Sequence, residues 1–135
     1  MPTHNSTFDY AVMRVVPRVE RGERINAGVI LYCKTIGFLG ARIALDRARL
    51  CALDPTIDVD AVERALSLIP LVCAGDAAAG PIAKLPQSER FHWLTAPRST
   101  ITQPSPVHTG LCDDPEHALE RLLQTMVLPL KPRPE

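Results

Sequence analysis

Between Ile25 and Cys33 the chain runs apolar on both of the faces a strand would present, broken only by Asn26 and Gly28. A strand with no polar face belongs inside a sheet or under a helix. Its flanks supply the sheet. Phe8 to Val16 alternates, with Phe8, Tyr10, Val12, Arg14 and Val16 on one side and Ala11, Met13 and Val15 on the other. Pro17 stops that run, and Arg18 to Gly22 makes a polar turn. Lys34 to Gly37 is a short hairpin connection into a third strand, Phe38 to Leu45. Three strands with short turns predict an antiparallel meander over residues 8–16, 25–33 and 38–45.

Periodicity then changes from two to 3.6. Leu45 to Leu53 is a short helix or an irregular turn. Asp58 reads as an N-cap for a helix over 58–73, whose stripe is Val59, Val62, Leu66, Ile69 and Cys73. Asp60 and Glu63 suit the positive end of its dipole, and Pro70 predicts a kink or an end. Pro86 to Leu94 predicts a short helix, and Thr100 to Gln103 an edge strand between prolines. Asp113-Asp114-Pro115-Glu116 predicts a helix start, by a capping box or by Asp114 with Pro115 at the first helical position. The stripe Ala118, Leu119, Leu122, Leu123, Met126 and Val127 follows, and Pro129 closes it. The expected fold is α+β: an antiparallel meander plus an edge strand, one face covered by two main helices at 58–73 and 114–127. Leu66 and Leu122 are expected in the core. With 135 residues the chain suits a single domain, 1–135, with residues 1–7 and 130–135 as flexible ends.

Charge limits the function classes. Lys plus Arg equals Asp plus Glu, which argues against coating nucleic acid by charge alone. The distribution is uneven: residues 1–50 hold eight basic and four acidic side chains, and residues 51–135 seven and eleven. Two solvated faces explain this, or an arginine-lined anion site on the N-terminal sheet. No run reaches the ~18 apolar residues of a membrane span. Residues 1–7 are polar and do not read as a secretory signal. The four cysteines form no C-x-x-C pair, so free thiols in a reducing cytoplasm are expected.

Two blocks carry a resemblance. The first is Tyr10-Ala-Val-Met-Arg14-Val-Val-Pro17, then Arg21-Gly22-Glu23 and Asn26-Ala-Gly28-Val-Ile-Leu. The second is Leu94-Thr-Ala-Pro97-Arg98-Ser99, then Ser105-Pro106-Val-His108-Thr109-Gly110 and Asp113-Asp114-Pro115. Over almost the whole chain the sequence resembles a bacterial family catalogued as domain of unknown function 3037. The resemblance implies no activity and no catalytic residues. Genes of the family often lie beside a HipA-like kinase gene, so the partner it implies is such a kinase.

The segment Arg98 to Asp114 departs most from ordinary structural sequence. It concentrates Arg98, Ser99, His108, Thr109 and Asp113 beside Pro97, which precedes it, and around Pro104 and Pro106, and these prolines restrict the backbone. Arginine with hydroxyl neighbours suits a phosphate or carboxylate, and histidine exchanges protons near neutrality. The competing account is a long connection tied down by its own hydrogen bonds. His108, Cys112, Asp113 and His117 match no strong zinc spacing, so no metal and no cofactor are expected. Arg14 shares a strand face with apolar residues. Its charge needs a partner there, and Glu23, Asp46 or an acid of the second half of the chain could form the ion pair, with ligand binding as the alternative. Asn26 could bond to a loop, and Gly28 could admit a close backbone or a ligand. Gly-rich phosphate loops and the G-x-S-x-G elbow are absent from the sequence.

Two functions fit. One is a small cytoplasmic binding or regulatory module that recognises a HipA-like kinase or another protein through the 98–114 surface. The other is a small enzyme acting on a phosphorylated or nucleotide substrate. Arg98 would hold the anion, Ser99 or Thr109 would donate, and His108 would serve as acid or base. A deep cavity shared by Arg98 and His108 would favour the enzyme, and an apolar-edged surface the module.

Overall fold

A computed structural model describes residues 5–134; residues 1–4 and 135, part of the expected flexible ends, lie outside the described residues. Five strands and four helices follow in the order β1 (Ser6–Val15), β2 (Ile25–Cys33), β3 (Phe38–Ile43), α1 (Arg47–Leu53), α2 (Val59–Ala74), α3 (Gln87–Thr95), β4 (Thr102–Pro104), β5 (His108–Cys112) and α4 (Pro115–Leu122). Two 3₁₀ turns, Ala77–Ala79 and Pro81–Lys84, fill the loop before α3, and α4 runs on into a π-helical turn, Leu123–Val127. The expected α+β class and meander are present. β1 starts at Ser6, inside the segment expected to be a loose end.

The sheet is antiparallel, in the order β3-β2-β1-β4, with β5 also paired to β1. β4 and β5 lie end to end on one side of β1: β4 pairs with Met13 to Val15, and β5 with Ser6 to Tyr10. Buried Ser105 joins them. Its backbone N–H donates to the Val12 carbonyl (2.8 Å), and its Oγ accepts from the Val12 N–H (2.9 Å). The edge strand expected at Thr100–Gln103 is shifted to Thr102–Pro104, and β5 was not expected.

The register of β1 with β2 jumps from Met13↔Gly28 to Arg14↔Asn26, which leaves Ala27 as an extra residue. Such a bulge reverses which side chains face a given side. Ile25, Ala27 and Ile30 therefore join Met13, Val15 and Leu39 against Val62, Leu66 and Ile69 of α2 and Phe91 of α3. Val29, Leu31 and Cys33 join Phe8 and Cys112 on the other side, against Leu119, Leu123 and Val127. The two main helices thus cover opposite faces of the sheet, where one face was expected. A strand apolar on both sides explains it. A single helical layer would leave Val29 and Leu31 in water, at a cost of about 1.5–3 kcal/mol each.

Local chemistry sets the helix ends. Asp58 accepts from the Ala61 N–H (3.0 Å) to start α2, and Asp114 accepts from the Glu116 N–H (3.1 Å) with Pro115 first in α4. Pro70 neither ends α2 nor shortens it. The helix continues to Ala74 because Val72 and Cys73 are buried beyond the proline and Arg90 of α3 binds their carbonyls, at 2.9 and 2.7 Å. Leu122 is only partly buried; Leu119 and Leu123 fill the core on either side of it, and Met126 is exposed. No helix among the described residues is long and apolar enough to cross a membrane.

Candidate functional site

Arg98 is spent on local structure. It follows α3, whose last carbonyls lack helical partners, and its Nη2 donates to the Trp93 carbonyl (2.7 Å) while its guanidinium lies over the Trp93 ring, 5.4 Å from the centroid. His108 lies on the other side of the sheet. It pairs with Tyr10 across the β1–β5 ladder, ring centroids 5.5 Å apart, on the side packed by α4. The two residues therefore share no cavity. Ser99 is exposed beside α2, and Thr109 Oγ1 donates to Asp9 Oδ1 at 3.2 Å. Asp113 is exposed and lines a polar hollow of about 360 Å³ with Asn5, Asp114, His117 and Arg121. Arg98 and Ser99 on one side, and His108, Thr109 and Asp113 at β5 and its end, do not make one catalytic constellation.

The face packed by α4 also holds Arg14 and Asn26, which are cross-strand neighbours. Asn26 Nδ2 donates to the Met126 carbonyl of the π-helical turn (2.8 Å). Gly28 admits backbone, since a Cβ there would stand 2.9 Å from the Arg42 carbonyl oxygen and 2.6 Å from Ile43 Cδ1. The expected ion pair of Arg14 does not form. Glu23 binds Arg21 (2.6 Å), Asp46 caps α1 by accepting from the Arg49 N–H (3.1 Å), and Arg14 Nε is buried with no partner among the described residues.

What the fold does assemble from the 98–114 segment is apolar. Ser99 to Thr102 faces α2 across a groove of about 510 Å³, with Val19, Ile57, Ala61 and Ala65 in its walls. Ala65 and Thr102 continue into a smaller hollow of about 200 Å³ walled by Leu68, Trp93 and Arg98. Val19, Leu68, Trp93 and Ile101 are each 43–48% exposed, so they border this groove and are not core. Sequence reasoning missed them. Leu68 falls outside the α2 stripe, and Trp93 and Ile101 are large apolar residues that no stripe claims; these are the signals that could have found them.

All four cysteines are free, with Cys33, Cys73 and Cys112 buried and Cys51 exposed. Burial pushes the Cys73 thiol up to about 12, and burial followed by the neighbouring Cys33 raises Cys112. Among the described residues no group of three or more His, Cys, Asp or Glu is placed to hold a metal ion.

A family model described as Protein of unknown function (DUF3037) matches residues 10–127, a span that takes in both sequence blocks. No curated protein and no solved structure matches the chain.

Proposed function

This chain belongs to the family described as Protein of unknown function (DUF3037), and we propose that it works as a binding module that docks a partner protein in the groove between α2 and residues 99–102. The observation that carries this is the run of four half-exposed apolar side chains, Val19, Leu68, Trp93 and Ile101, along one continuous groove. Water is a poor cover for such a surface, and an apolar face of another chain is a good one.

The occupant is an amphipathic helix, since an extended strand finds no ladder here. Pro104 has no N–H to offer at the edge of β4, and the Thr102 carbonyl already accepts from Thr100 Oγ1 at 2.8 Å. A HipA-like kinase is the partner to try first, because it is the one the family resemblance implies. The test is titration of the purified kinase with wild-type protein and with Leu68→Glu/Ile101→Lys. The wild type should bind, and the double variant should lose binding at an unchanged melting temperature. Equal binding by the variant would remove the groove from the function, and no binding by wild type would remove the kinase.

A further inference from the structure

Arg14 Nε is the buried side-chain donor that finds no acceptor among the described residues. Buried donors are almost always satisfied, so an orphan of this kind asks for a missing acceptor. Arg14 as a whole is only half-buried, so its outer nitrogens reach solvent. Its cross-strand neighbours are Asn26 on β2 and Gln103 on β4, and their amide nitrogens are committed, to the Met126 carbonyl (2.8 Å) and the Thr100 carbonyl (2.9 Å). The nearby charge is Arg24, of the same sign; burial first, then Arg24, lowers the pKa of Arg14. Neither arginine has a carboxylate partner among the described residues. Two like charges, one of them partly withdrawn from water, repel unless an anion sits between them.

We propose that Arg14 and Arg24 form a binding site for a phosphate group, with Arg14 as its floor on the sheet and Arg24 as its second cation. A dianion matches two guanidinium groups, and a phosphate presents oxygens in the spacing of the arginine fork. The site is on the sheet face packed by α4, opposite the apolar groove, and stands or falls independently of it.

The test uses the full chain and inorganic phosphate at constant ionic strength, followed by the arginine Nε–H resonances and by thermal melting. Saturable shifts at Arg14 and Arg24 with a rising melting temperature are expected. Arg14→Met should weaken phosphate binding about tenfold or more, and Arg24→Gln should weaken it as well. Without phosphate, Arg14→Met should melt no lower than wild type, because an uncompensated charge has been removed. Acetate should bind about tenfold more weakly than phosphate, having one charge to offer two cations. Non-saturable drift of the resonances, wild-type affinity in Arg14→Met, or acetate binding as tightly as phosphate would each overturn the assignment.

Discussion

The Arg90 guanidinium donates from α3 to the carbonyls of Val72 and Cys73, in the last turn of α2, and to that of Leu85. At that end the Val72 carbonyl accepts only from the N–H of the cap residue Gly75 (3.1 Å), and the Cys73 carbonyl has no further helical turn to bond to, so one charged side chain closes one helix with another. Arg90→Ala should cost about 2 kcal/mol, measured by denaturant melting, and should speed amide exchange at Gly75 and Asp76. Arg98 does the same for its own helix with more solvent around it. Arg98→Ala should cost about 1 kcal/mol, and a melting temperature unchanged by it would contradict the capping role. Asp54 gives the pH response. It is buried at the end of α1, and the Thr56 hydroxyl (2.7 Å), the Thr56 N–H (3.0 Å) and Arg18 (3.3 Å) hold its carboxyl below the usual carboxylate range. A depressed native pKa means that the stabilisation is complete above the unfolded value, about 3.9, and is lost as the pH falls through the folded one. Asp54→Asn should therefore melt lower than wild type at neutral pH, and the gap should close on acidification. A gap that stays constant down to acid pH would show that the charge is not what stabilises.

At the scale of the element, β2 carries the design of the sheet. Its bulge at Ala27 turns one apolar run toward two different cores, and Gly28 leaves room for β3. Gly28→Ala should cost about 1–3 kcal/mol through overpacking against the Arg42 carbonyl, visible as a lowered melting midpoint. The helices on either side differ in how legible their faces are. Leu66 is fully buried under α2, so Leu66→Ala should cost about 2–5 kcal/mol. On α4 the same loss belongs to Leu119→Ala, with Leu122→Ala milder by about 1 kcal/mol or more. Equal losses for the two would mean that the helix is turned differently. Its stripe is blurred because the π-helical turn after Leu122 advances the chain by more residues per turn than 3.6 spacing assumes, which carries Met126 out to solvent.

For the whole molecule, the sheet divides the chemistry: the apolar groove and Arg98 on the side of α2 and α3, and Arg14, Asn26 and His108 on the side of α4. Alternation and turn residues were enough to read the meander, the helix start at Asp58, the second start to Asp113 or Asp114, and the apolar stripe of α2, because those signals are local and repeat along the chain. The bulge at Ala27 left no such mark. β5 was hidden by its composition: His108, Thr109 and Gly110 read as a polar loop, and only pairing with Phe8 and Tyr10 makes them a strand. Arg98 and His108, ten residues apart, were expected together, yet β4 and the Ser105 junction between them carry the chain along β1 and leave the two on opposite faces. Sequence spacing measures contour length, whereas a site depends on which face each strand presents. The chain by itself therefore determined the α+β class, the core-forming runs and the family. The tertiary structure decided the covering of both faces, the exposed groove and the unpaired Arg14, because these depend on pairing and packing between residues far apart in the chain.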